Sequence, residues 1–368
     1  MNETMQNLMR QATRLTRSGN LKEATLVIQR ALGYAGGVPT PSPSTEAASP
    51  IILDGYVFEV DQAEVARARA PAADEAAPTS NPTGEFSTGS HTHASLTRHF
   101  KLYTPPGSLG KHPPLVVMLH GCTQSADDFA AGTGMNALAQ AHGFCVLYPE
   151  QSASANPQRC WAWFKHNHQG RGKGEAALLA SMTLSIVQQQ GVDARRVYIA
   201  GLSAGGAMAA IVAAAHPEIF AAVGVHSGLA VGAAANVAEA LSAMKSGAAD
   251  RKLVSAGSAL PLIVFHGDQD STVHPRNGRQ VSDQGIDALC AGSEPSEKSV
   301  EQGTSTLGRS FTRTCHQRDG VSFSELWVLH GAGHAWSGGS AKGSYTDPSG
   351  PDASAEMLRF FLSHAKKA

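Results

Sequence analysis

Gly201-Leu202-Ser203-Ala204-Gly205 constrains this chain more than any other stretch, because of the segments on either side of it. Before it, Arg196-Val197-Tyr198-Ile199-Ala200 is short, apolar and partly β-branched, as a buried strand is. After it, Gly205-Gly206-Ala207-Met208-Ala209-Ala210-Ile211-Val212 is rich in helix formers. A strand that turns sharply into a helix at a serine is the setting of a nucleophile held clear of its own backbone. A serine hydroxyl is a weak nucleophile near neutral pH and needs a base beside it. The small residues at 201, 204 and 205 let strand and helix approach closely enough to make the turn. In a chain with 38 glycines the pentapeptide alone says little, so the flanks decide the reading.

An acid and a base should follow later in the chain. Leu260-Pro261-Leu262-Ile263-Val264-Phe265 reads as a buried strand and ends in His266-Gly267-Asp268-Gln269-Asp270-Ser271-Thr272-Val273. A carboxylate in that loop can accept from an imidazole N–H and fix its tautomer, and both Asp268 and Asp270 qualify. Leu326-Trp327-Val328-Leu329-His330 is strand-like and opens into Gly331-Ala332-Gly333-His334-Ala335-Trp336. The chain has 16 histidines, so a lone one signifies little. His334, in a glycine-lined loop past a strand end, is the candidate base, whereas His330 in the apolar run reads as structural. An oxyanion needs donors as well. The N–H of Ala204 is one. Pro114-Leu115-Val116-Val117-Met118-Leu119 is a further buried strand, and His120-Gly121-Cys122-Thr123-Gln124 after it offers the N–H of Cys122, against the plainer reading of an ordinary strand-to-helix turn.

Three of these stretches together resemble the poly(3-hydroxybutyrate) depolymerase family of esterases, which includes feruloyl and acetyl-xylan esterase relatives. They are Leu119-His120-Gly121-Cys122-Thr123-Gln124, Gly201-Leu202-Ser203-Ala204-Gly205-Gly206 and Gly333-His334-Ala335-Trp336-Ser337-Gly338-Gly339, with Asp-Pro-x-Gly-Pro at 347–351 before a last helix. The resemblance runs from about Leu96 to the C-terminus. It implies an α/β-hydrolase fold, Ser203 as nucleophile, Asp270 as acid, His334 as base, no cofactor, and a polymeric or oligomeric ester substrate. It further implies a Cys122–Cys160 bridge, and it offers Trp161, Trp163 and Trp336 as residues flanking the ester. On the residues alone, tryptophans at those positions are more often core than a substrate platform.

Strand-like runs near 115–119, 144–148, 196–200, 221–226, 260–265 and 324–330 alternate with helical stretches such as 174–190 and 204–215. That alternation predicts a mostly parallel central sheet flanked by helices. Thr97–Tyr103 alternates as a strand leading into it. Ahead of it, residues 1–35 show a helical spacing of apolar side chains, and 36–93 are rich in Pro, Ser, Thr, Ala and Gly and read as a linker. An apolar island at 51–60 reads as an edge hairpin or a surface-binding element. The catalytic domain is expected over 94–368, with 276–320, which hold Cys290 and Cys315, as a polar, irregular insertion.

A formal net charge of −1 and the lack of a basic stripe argue against a nucleic-acid partner. No stretch approaches the roughly 18 apolar residues of a membrane-spanning helix. The first residues lack a basic start and an apolar run, which predicts a cytoplasmic protein, while the family resemblance makes an extracellular one the alternative. Five cysteines without C-x-x-C spacing leave at least one unpaired and do not point to zinc. Cys122 itself lacks a nucleophile's setting. Besides a depolymerase and a feruloyl- or acetyl-type esterase, a protein that binds a granule surface through residues 1–33 is a third reading.

Overall fold

Six apolar runs become six parallel strands. The computed structural model describes residues 51–53, 56–58, 84–108, 110–249, 260–291 and 297–367. The expected N-terminal helices lie outside these residues. Within the apolar island, β1 (Ile51–Leu53) and β2 (Tyr56–Phe58) pair antiparallel as a separate two-stranded sheet.

The main sheet contains β3 (Glu85–His93), β4 (Leu96–Thr104), β5 (Leu115–Leu119), β6 (Cys145–Glu150), β7 (Val197–Leu202), β8 (Ala222–His226), β9 (Leu262–Gly267), β10 (Glu297–Thr304), β11 (Ser310–Arg318) and β12 (Val321–Leu329). Their spatial order is β10-β11-β12-β9-β8-β7-β5-β6-β4-β3. The inner six, β6 to β12 by way of β5, β7, β8 and β9, run parallel. Antiparallel hairpins extend both edges. The helices among the described residues are α1 (Ala126–Thr133), α2 (Met135–His142), α3 (Gly174–Gln190), α4 (Ala204–Ala215), α5 (Val237–Ser246), α6 (Arg276–Cys290) and α7 (Ala353–Leu362). This is the α/β-hydrolase arrangement.

Parallel strands covered on both faces read as unbroken apolar runs, and β5 is buried at all five positions. Its alternate side chains feed two separate cores. Val117, Ile199, Val225 and Val264 join Leu179 of α3 and Met208 of α4 on one face. Met118, Ala200, Ile263 and Phe265 join Phe129 of α1 with Met357 and Phe361 of α7 on the other. Each of these side chains larger than alanine contributes about 1.5–3 kcal/mol by leaving water.

Two boundaries differ from expectation. The sheet begins at Glu85 rather than after 93, because β3 pairs along its whole length with β4 and seats Phe86 against Tyr103 and Tyr148. Its Ser, Thr and Gly composition hid a strand whose hydrogen bonds come from the backbone. Residues 276–320 are not irregular either. They supply α6 and the β10–β11 hairpin, which lengthens the sheet edge. β10 is exposed along nearly all its length, so no apolar run announces it.

Registered pairs Leu119↔Gly201, Leu202↔His226, His226↔Phe265 and Gly267↔Leu329 bring the parallel strands to a common end. The loops after β5, β7, β9 and β12 therefore open at the carboxyl edge of the sheet, where open α/β folds place their sites.

Candidate active site

Ser203 stands alone between β7 and α4, with φ 57° and ψ −120°. A non-glycine residue there is strained by about 1–3 kcal/mol. Two bonds hold it: its N–H donates to His226 O at 2.8 Å, and its carbonyl accepts from Ala207 N at 2.9 Å. The glycines are required by space. A Cβ on Gly205 would lie 2.1 Å from Leu119 O, and one on Gly201 2.4 Å from the carbonyl carbon of Gly205.

Asp270 and His334 meet across the sheet edge, with His334 Nδ1 2.7 Å from Asp270 Oδ2. The other carboxylate oxygen accepts from the N–H groups of Thr272 at 3.0 Å and Val273 at 2.7 Å. His266 Nε2 lies 3.3 Å from Oδ2. Burial of the Asp270 side chain opposes its charge, but the opposing field of His334 and hydrogen bonds from His266 and His334 prevail and hold the carboxyl well below its usual range. Asp268, the other carboxylate open on sequence, faces away. It meets His330 Nδ1 at 2.9 Å and accepts from Gly331 N at 2.7 Å near the surface. His330 also contacts Thr312 Oγ1 at 2.8 Å, a structural role.

One cleft is lined by Gly121, Cys122, Gln124, Leu202, Ser203, Thr272, His334 and Tyr345. It unites the serine, the imidazole and the candidate donor loop. A Cβ on Gly121 would lie 3.6 Å from Ser203 Cβ, so that loop rests directly on the turn. Among the described residues, the N–H groups of Cys122 and Ala204 donate to no protein acceptor. An imidazole oriented by a carboxylate can take a hydroxyl proton, and two open N–H groups can receive a developing oxyanion. Cys122 is bonded to Cys160, while Cys145, Cys290 and Cys315 are free thiols.

The three tryptophans are not in the cleft. Trp161 and Trp336 are at most 1% exposed and Trp163 is 3% exposed. Trp161 Nε1 donates to His120 O at 3.1 Å and Trp336 Nε1 to Ser354 Oγ at 3.0 Å, while Trp163 sits edge-on to Phe164. A buried indole needs an apolar bed and an acceptor for its N–H, and Trp161 and Trp336 have both within the core or beneath the loops. Thr272, Gln124 and Tyr345 line the cleft instead. Gln124 was legible as the end of the His-Gly-Cys-Thr-Gln stretch, where its Oε1 accepts from Gly121 N at 2.9 Å. Tyr345 had no signal in its neighbourhood; it arrives through β14 (Thr346–Asp347), which pairs with β13 (Trp336–Ser337). Among the described residues no group of three His, Cys, Asp or Glu side chains is placed to hold a metal ion.

The family model described as Esterase PHB depolymerase matches residues 98–290. Poly(3-hydroxyalkanoate) depolymerase C of Paucimonas lemoignei is 31% identical over 245 residues, covering 62% of this chain and 56% of its own length. Acetylxylan esterase A of Talaromyces purpureogenus is 29% identical over 211 residues, covering 52% of this chain and 53% of its own length. The chain thus spans about half the length of the curated relatives it matches. The fold is similar to that of an acetyl xylan esterase from Aspergillus awamori, with a TM-score of 0.58 at 21% identity over 72% of this chain and 94% of that one. It is also similar to an S-formylglutathione hydrolase from Agrobacterium tumefaciens, with a TM-score of 0.51 at 16% identity over 77% and 97% of the two chains.

Proposed function

The chain belongs to the Esterase PHB depolymerase family, and on that premise we propose that it hydrolyses carboxylic esters through an acyl-enzyme on Ser203. The observation that carries the reading is the Asp270–His334 hydrogen bond beside a cleft that His334 shares with Ser203. His334 Nε2 takes the hydroxyl proton as Ser203 Oγ attacks the ester carbonyl, and Asp270 stabilises the imidazolium. The N–H groups of Cys122 and Ala204 receive the oxyanion. The carbon–oxygen bond to the alcohol then breaks, and His334 returns the proton to the leaving oxygen. Water, deprotonated by the same imidazole, attacks the acyl-enzyme and releases the acid with Ser203 restored.

Esters of short hydroxyalkanoic acids, in polymers or oligomers, are the substrate this reading favours. The 31% identical depolymerase supports it, and so does a confined cleft with Leu202, Thr272 and Tyr345 as its side-chain walls. The acetylxylan esterase relatives support an acetyl ester on a polysaccharide as the second reading. The Cys122–Cys160 bond supports an oxidising compartment, hence the extracellular of the two locations expected. Among the described residues no helix is long and apolar enough to cross a membrane.

A fluorophosphonate probe followed by peptide mass spectrometry should place the label on Ser203. A turnover panel of 3-hydroxybutyrate oligomers, amorphous polymer granules, acetylated xylan and feruloyl esters then separates the substrates. Labelling elsewhere, with Ser203 unmodified, would overturn the mechanism; release of acetate or ferulate alone would overturn the depolymerase reading.

A further inference from the structure

A backbone N–H can only donate. The N–H of Gln151 points at His120 Nε2 from 3.1 Å, so that nitrogen must hold a lone pair. In the neutral ring the proton is then on Nδ1, which lies 2.7 Å from Gly121 O and donates to it. The ring is fully buried, and burial pushes its pKa below the usual imidazole value, so it stays neutral.

Gly121 O and the N–H of Cys122 are the two ends of one planar trans peptide. Fixing the oxygen therefore fixes the direction of the N–H. A hydrogen bond to the carbonyl also polarises the unit and makes its N–H a better donor. We propose that His120 is a positioning residue that orients the Gly121–Cys122 peptide so that its N–H meets the oxyanion; this rests on the reading in which Ser203 is the nucleophile and Cys122 a donor.

The histidine is braced in turn. Arg98 Nε donates to Gln151 Oε1 at 2.7 Å, and Gln151 Nε2 donates to Glu175 Oε1 at 2.5 Å. Arg98 Nη2 reaches the same Glu175 oxygen at 3.0 Å, and Trp161 Nε1 donates to His120 O at 3.1 Å. All four partners are buried, so the array has one arrangement that satisfies every group.

The test compares His120→Leu, which removes the donor, with His120→Asn, whose side-chain amide keeps one at the Nδ1 position. The Leu variant should lose about 10- to 100-fold in kcat with KM within about threefold, less than the ~10²–10³ of a deleted donor. It should bind phenylboronic acid, which forms a tetrahedral adduct on the serine, more weakly by the same factor. The Asn variant should recover most of kcat. In the unmodified protein, ¹⁵N histidine spectra should show two fully buried rings protonated at Nδ1 and bare at Nε2, His120 and His226, whose Nε2 accepts from Ser337 N at 3.0 Å, and one of the two signals should be missing from the Asn variant. A folded Leu variant with unchanged kcat, an Asn variant with no recovery, or a His120 ring protonated at Nε2 would each overturn the assignment. Should the Leu variant not fold, the spectra and the Asn variant still decide. Failure of the underlying reading shows differently, since Ser203→Ala would then retain activity.

Discussion

His334 Nδ1 lies 2.7 Å from Asp270 Oδ2, a contact between the loops that follow two neighbouring parallel strands, β12 and β9. Four residues before His334 and two before Asp270, His330 and Asp268 form a parallel pair at 2.9 Å on the outside of the same loops. The two pairs have the same chemistry and opposite surroundings. One is buried beside Ser203, and the other is partly open to solvent.

Asp270→Asn is therefore expected to lower kcat by about 10⁴-fold, because an amide in that place favours the wrong imidazole tautomer. Asp268→Asn removes a surface pair of the kind that contributes about 0–1 kcal/mol, and kcat should change less than about threefold. Steady-state kinetics on p-nitrophenyl butyrate measures both. Equal losses would contradict the division of labour between the two carboxylates.

Ser203→Ala should retain less than about 10⁻⁴ of wild-type kcat, the residue that oxyanion donors and binding alone sustain. Circular dichroism should show the fold intact, and because alanine carries the same Cβ at φ 57°, the backbone strain and with it the thermal stability should change little. Near-wild-type turnover by this variant would remove the nucleophile from its role.

The pH dependence follows from the depressed Asp270 carboxyl. Because its folded pKa lies below the unfolded value of about 3.9, ionised Asp270 stabilises the fold above that value, and the contribution fades as pH falls through the folded pKa. Asp270→Asn should thus be less stable than wild type at pH 7, with the gap in Tm narrowing below about pH 4. The acid-side loss of kcat/KM should report an imidazole, since the carboxyl is still ionised there. A Tm gap that stays constant from pH 7 to pH 3 would contradict the linkage.

Trp336 stacks on His226 at 5.1 Å, meets Phe129 edge-on at 5.4 Å and donates to Ser354. Trp336→Phe leaves the Ser354 hydroxyl without that donor and a gap in the core, so stability should fall by about 1–3 kcal/mol. KM should stay within about twofold, as expected of a side chain buried outside the cleft. A large rise in KM without loss of Tm would return this tryptophan to the binding site.

The Cys122–Cys160 bond closes a loop with a sequence separation of 38. Cross-linking at that length restricts the unfolded chain by roughly 4 kcal/mol. A Cys160→Ala variant should lose stability on that scale. It should also lose kcat, because the loop that carries the Cys122 N–H would be freed on one side. Calorimetry with parallel kinetics tests both parts, and unchanged kcat would separate the bridge from the site.

The linear pattern determined the parallel heart of the sheet, because strands covered on both faces must be apolar throughout, as β5, β7 and β9 are. It also determined where Ser203 and His334 fall, since a strand-to-helix turn and a glycine-lined loop are local features. Composition could not reveal β3 or β10, whose edge pairing depends on backbone hydrogen bonds rather than apolar side chains. The residues alone left Asp268 and Asp270 open and the resemblance implied Asp270; the tertiary structure shows the two carboxylates, two residues apart in one loop, turning to different histidines, Asp270 to His334. It also moved the tryptophans from the substrate to the core and brought Tyr345 to the cleft. Those outcomes depend on which surfaces meet across the fold. Periodicity reports which face of an element is apolar; the partner that covers that face is set by the packing of segments distant in sequence.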